Sequence, residues 1–327
     1  MGFPYRRIFL VCADPAEIFM KADAERLSGP GSASETEDPN GRESMEKTEH
    51  SCGSGRPDEA LQIPNLRRLG LANFMRFRTV GPCKAPAGRY IALPGNTAGC
   101  GPENGFREMM GAAGTGASCP GTAGHPGSRN PEDTARRTAL EALAAHGEDV
   151  ICIGRAADFF GGQGITVRVK ADTWEAAMDE ALRMTDRPFA GLCLVDVCFA
   201  DAGSGGMVPG AAGSGEMDPG AAGLGNAGTA ETLRTVAETV ERFDMKIGQL
   251  FDRLTGRDLL LFTAVRGSGA FAGELPLIGW SPNLTNGTGG RLPGAATAGV
   301  IGASICANFG AEYPVTYAER SRIEDFR

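Results

Sequence analysis

The 327-residue sequence is poor in histidine, with only His50, His125 and His146. All three lie in polar or glycine-rich surroundings, and no Cys-x-x-Cys pair accompanies them. A zinc site of the ordinary imidazole and thiolate type is therefore not expected. The nine cysteines are an odd number without framework spacing, and Cys12, Cys152, Cys193 and Cys306 stand in apolar stretches. A reduced thiol packs there as a small hydrophobe, which suits a cytoplasmic protein better than a disulfide-framed secreted one. Long apolar runs are missing, since none approaches the roughly 20 residues of a membrane span. The first residues are basic and then apolar, as in a signal peptide. Here the apolar run is only six residues, Ile8 to Ala13, before Asp14 ends it. It reads as a first buried strand. A basic surplus is lacking too, because 32 Lys and Arg face 40 Asp and Glu, for a net charge of -8. That balance argues against nucleic acid and against an anionic membrane as partners.

Glycine, by contrast, is abundant, with 48 residues gathered at 95–128, 202–228 and 284–302. Residues 28–60 are polar, charged and poor in apolar side chains, and read as a polar loop. Residues 111–130 read as a linker of Gly, Ala, Ser and Pro. Within 202–228 a tandem repeat runs GGMVPGAAGS and then GEMDPGAAGL. It is too short and too rich in small residues to stack as a solenoid, and reads as a flexible insertion.

The rest of the chain alternates between two patterns. Apolar runs at 7–13, Val150–Ile153, Gly191–Val197, Leu259–Val265 and Leu275–Trp280 predict buried strands. Helices are expected over Ile63–Phe74, with Pro64 near the start, and after Asn130 and Pro131 up to Gly147. Two more are expected over Ala171–Met184 and Gly299–Phe309. The clearest helix carries Leu233, Val236, Val240, Phe243, Ile247, Leu250 and Leu254 at spacings of three and four, a core-facing stripe. The expected architecture is a single α/β domain over residues 1–327, three-layered, with a mostly parallel sheet and helices on both faces. Chemistry in such sheets sits at the carboxyl ends of the strands. The positions of interest are therefore Asp14, Asp196 to Cys198, and Val265 to Ala270.

Five stretches carry a family resemblance: RIFLVCAD from Arg7, IPNLRRLGL from Ile63, VICIGRAADFFGGQGIT from Val150, LVDV from Leu194 and IGASICANFG from Ile301. They resemble segments of phosphopentomutase, the manganese enzyme that moves phosphate between C1 and C5 of ribose. The third is the specific match, to the family's VIGIGKIxDIFxGxGIT. The resemblance implies an alkaline-phosphatase-like core, two manganese ions, a phosphate-carrying threonine and a cap domain that encloses the sugar.

Position by position, the resemblance carries over thinly. The metal-binding Asp after the first strand is present as Asp14. The second Asp of the family's VDFD falls on Cys198, and the His of YGHR falls near Gly203. The Asp-His of TADHG falls on Val265 and Arg266, and the His of TDHTRE has no counterpart between Ala272 and Pro276. In an ungapped register from Tyr90 to Gly111, the nucleophilic threonine becomes Pro102; Thr97 is nearby but out of register. The interval that would hold the cap, 112–149, is mostly linker plus one helix.

These departures lead to the expectation of a catalytically inactive phosphopentomutase-like protein. It would act on an unknown protein or small-molecule partner, with no cofactor expected. The alternative is a repurposed phosphoryl- or sulfuryl-transfer enzyme rebuilt around Asp14 and Arg266. For Asp14 the readings are a vestigial metal ligand or, preferred, a strand-end acid. Asp196 reads as structural. Cys12, Cys100 and Cys198 with Asp14 form a less favoured thiolate site. Arg266 either holds a phosphate or carboxylate, or pairs with Asp14 and fills the emptied site; the pairing is preferred.

Overall fold

The computed structural model describes residues 5–14, 18–19, 61–71, 87–94, 102–111, 138–199, 227–265, 274–284, 290–294, 296–313 and 320–326. The polar loop at 28–60, nearly all of the 111–130 linker, the tandem repeat, Asn130, Pro131 and Leu233's side chain lie outside them. The chain builds one eight-stranded sheet from β1 (Arg7–Asp14), β2 (Arg89–Pro94), β3 (Asp149–Ile153), β4 (Val167–Val169), β5 (Gly191–Cys198), β6 (Asp258–Ala264), β7 (Glu274–Trp280) and β8 (Gly290–Arg291). The order across the sheet is β4-β3-β5-β1-β6-β7-β2-β8. The block from β4 to β6 is parallel, and β7 runs antiparallel to both β6 and β2.

The helices are α1 (Pro64–Leu69), α2 (Pro102–Met109), α3 (Ala139–His146), α4 (Ala156–Phe159), α5 (Trp174–Thr185), α6 (Ala227–Arg253) and α7 (Val300–Phe309). One face of the sheet is covered by α1, α5 and α6. There Val236, Val240, Phe243, Ile247, Leu250 and Leu254, six members of the expected stripe, are buried against Leu66, Met178 and the odd-numbered residues of β1. The other face is covered by α2, α3, α4 and α7 through Phe106, Leu140, Ala156 and Ile301. Because successive strand residues point to opposite faces, two cores require the continuous apolar runs the sequence carries. The expected three-layer α/β architecture is what forms.

Boundaries moved for local reasons. The first helix stops at Leu69, short of Phe74, because Gly70 closes it in the left-handed region at φ 99. The helix ending at Gly147 starts at Ala139, where Thr138 and Glu141 form a reciprocal capping box. The long helix begins at Ala227, two residues inside the stretch read as insertion. β2 and α2, both next to glycine-rich sequence, were not anticipated.

Candidate functional site at the carboxyl end of the sheet

The three central strands β5, β1 and β6 end together, and their register brings several predicted positions to one place. Asp14 stands opposite Cys198, while Cys12 stands opposite both Asp196 and Thr263. The backbone continues the pairing past the strand ends: the Phe199 N–H donates to the Asp14 carbonyl at 2.7 Å, and the Val265 N–H donates to the Ala13 carbonyl at 3.0 Å. By the two-residue period of a strand, Asp14, Asp196 and Cys198 lie on the face shared with Leu10 and Leu194. Asp14 is fully buried and Asp196 nearly so.

Pro102 is the first residue of α2. Its fixed φ suits that position, but it brings no hydroxyl for phosphate transfer. The helix docks on the end of β6: a Cβ on Gly105 would lie 2.6 Å from the Val265 carbonyl oxygen. The two aligned positions Pro102 and Val265 thus belong to neighbouring segments. A small pocket between them is lined by Leu93, Glu108, Met109, Thr263 and Leu275. Arg266, Gly203, Cys100 and Thr97 lie outside the described residues.

Among the described residues, Arg155 is a cation that meets Asp14. Arg155 stands two residues after β3, past Gly154, at the same end of the sheet. Its Nε donates to Asp196 Oδ2 at 3.0 Å, its Nη2 to Asp196 Oδ1 at 3.2 Å, and its backbone N–H to Asp196 Oδ2 at 3.2 Å. The same Nη2 reaches Asp14 Oδ2 at 3.3 Å. A planar guanidinium therefore forks onto one buried carboxylate and bridges to a second. Gly154 permits the approach. It turns at φ +92, and a Cβ there would lie 2.9 Å from the Asp196 carbonyl oxygen.

Electrostatics follow this geometry. Burial raises the Asp196 carboxyl pKa above its ordinary value; hydrogen bonds and charge from Arg155 oppose that, and Asp14 adds to it. For Arg155, burial acts downward, but the Asp196 hydrogen bonds and the surrounding negative charge hold its pKa well above the ordinary arginine value. The thiols of Cys12 and Cys152 are pushed up, first by burial and then by Asp196; Cys152 reaches about 12. Asp196, read as merely structural, is the main anchor of Arg155. The rule that singled out residues after each strand finds Arg155 when it is applied to β3 as well.

This fold is the alkaline-phosphatase-like α/β core. Among solved structures the chain superposes on a 2-O GAG sulfatase with a TM-score of 0.53 at 9% identity, covering 99% of this chain and 74% of that one. It superposes on the lipoteichoic acid synthase of Listeria monocytogenes with a TM-score of 0.51 at 8% identity, covering 98% and 74%. In sequence the relatives are phosphopentomutases: the chain is 31% identical over 195 residues to that of Clostridium botulinum, covering 57% of this chain and 43% of the relative. It is 30% identical over 195 residues to that of Agathobacter rectalis, covering 58% and 43%. The matched region thus spans less than half the length of these curated relatives. No protein-family model matches.

The sequence kinship corrects one expectation. No cofactor was expected, yet the relatives are phosphopentomutases, the family whose resemblance implies two manganese ions. A metal goes with that kinship, and its absence is not the default. The described residues by themselves do not fit a complete metal site. Among them no group of three or more His, Cys, Asp and Glu is placed to hold an ion. Asp14 and Asp196 are instead both engaged by Arg155, where the resembling motif has lysine.

Proposed function

We propose that this chain is a phosphopentomutase-like protein that does not catalyse phosphate transfer and acts by binding a protein or small molecule. The observation that carries the reading is Pro102, which opens α2 where the aligned nucleophile would stand and has no oxygen to phosphorylate. Cys198 and Val265 at two aligned ligand positions support it, since Val265 has no donor atom. The short 112–149 interval supports it too, because it leaves little chain for a cap to exclude water from a sugar phosphate. We place the protein in the cytoplasm. Among the described residues no helix is long and apolar enough to cross a membrane, and Cys12, Cys152, Cys193 and Cys306 are buried thiols.

The experiment is turnover by the purified protein with manganese, on ribose phosphates and on a panel of phosphate and sulfate esters. The reading expects none above the buffer rate. Turnover that disappears in Asp14→Asn would overturn it and would favour a rebuilt enzyme site at the same strand ends.

A further inference from the structure

The disagreement between the implied metal and the groups at the strand ends has a physical content of its own. Two buried carboxylates on neighbouring strands are costly unless a cation balances them. Here the balancing cation is part of the chain. We infer that Arg155 is a tethered counter-cation for Asp14 and Asp196, and that any divalent cation reaching these carboxylates must compete with it.

Four features support this. The guanidinium uses both Nε and Nη2 on Asp196, so its plane is fixed by a fork rather than by a single contact. The remaining reach of Nη2 is spent on Asp14, so one group spans the gap between β1 and β5. Its backbone is held as well, through the Arg155 N–H on Asp196 and the Gly154 N–H on the Val169 carbonyl at 3.0 Å. The side chain is 39% exposed while both carboxylates are fully buried. Arg155 therefore covers the acids from the solvent side, and a cation arriving from solvent meets the guanidinium first. A lysine at this position would supply one point charge without the fork. It would give up the two-point hold on the Asp196 carboxylate that fixes the guanidinium plane. The inference stands apart from the proposed function, since an active enzyme and a binding protein could both carry this clamp.

The test compares manganese binding by the whole chain as wild type, Arg155→Lys and Arg155→Met, read by the free-manganese electron paramagnetic resonance signal and by the shift in Tm. Binding to the folded state raises Tm, by an amount that grows with the logarithm of affinity. Arg155→Lys is expected to bind manganese at least roughly tenfold more tightly than wild type, a difference of about 1.4 kcal/mol. Arg155→Met should gain more, and manganese should recover part of its lost Tm. Adding Asp14→Asn to Arg155→Lys should abolish the gain. Equal affinity in wild type and Arg155→Lys, no binding by either, or a gain that survives Asp14→Asn would each overturn the inference. Should Arg155→Met fail to fold, the lysine variant decides the matter alone, because it keeps the charge and loses only the fork.

Discussion

Gly154 and Arg155 carry most of what is specific about the strand-end site. The glycine turns at φ +92 against the backbone of Asp196, and the arginine then lies flat on that residue's carboxylate. Gly154→Ala places a methyl group where there is no room and in a backbone region that side chains avoid. We expect a loss of about 2–3 kcal/mol, measured by urea unfolding; a change below about 0.5 kcal/mol would show that the turn relaxes freely. The sequence contained this pair in its most recognisable stretch, yet the pair was not readable as a site. An arginine two residues past a strand looks like any solvated charge until the partner strand's register is known. Asp196 lies 41 positions away, and nothing in local spacing couples the two. The preferred pairing of Asp14 with Arg266 had the right physical logic, a guanidinium on the orphaned acid. Among the described residues Asp14 meets the guanidinium of Arg155, from the end of β3, while Arg266 lies outside them.

Among the elements, α1 shows the same division between local and distant causes. Its start was legible, with Pro64 opening it, while Gly70 closes it after Leu69, five residues before the expected end at Phe74. Its N-terminal capping group was not legible, because Ile63 offers no side-chain cap. The buried carboxylate of Asp244 on α6 takes that role, accepting from the Leu66 N–H at 2.7 Å and from Asn65 Nδ2 at 2.9 Å. One turn further along α6, Gly248 makes space for the Asn65 amide, which a Cβ would approach to 2.6 Å. Asp244→Ala leaves the Leu66 N–H and the Asn65 amide without this acceptor, and should cost about 2–3 kcal/mol. Hydrogen exchange at Leu66 should speed up by more than the global loss accounts for. Unchanged protection there would contradict the assigned cap. β2 and α2 were missed for a different reason. They are short segments flanked by glycine-rich sequence, where periodicity has too few residues to register.

Across the molecule, the sheet is tied at its amino end by an ion pair between its two central strands. Arg7 Nε and Nη2 donate to the two oxygens of Asp258 at 2.6 and 2.7 Å, and Nη1 donates to the Thr185 carbonyl at 2.8 Å. Burial acts to raise the Asp258 pKa. The Arg7 fork and the donors of Thr255 outweigh it and hold the carboxyl below its ordinary range. A carboxyl depressed in the folded state contributes stability that is complete above its unfolded pKa, near 4. That contribution is lost as pH falls through the lower folded value. Asp258→Asn should therefore cost about 3 kcal/mol at neutral pH and flatten the decline in unfolding free energy below about pH 4. An unchanged acid slope in the variant would remove Asp258 from the account.

The overall architecture was the most legible level, because five apolar runs alternating with amphipathic stretches leave few arrangements other than a covered, mostly parallel sheet. What the whole molecule does turns on whether this strand-end site moves phosphate. The direct measurement is interconversion of ribose 1-phosphate and ribose 5-phosphate in the presence of manganese, by the native chain and by Pro102→Thr. The account predicts no interconversion by either, since Cys198 and Val265 stay at aligned ligand positions and the 112–149 interval stays short when the hydroxyl returns. Interconversion by the native chain, lost on Asp14→Asn, would contradict it.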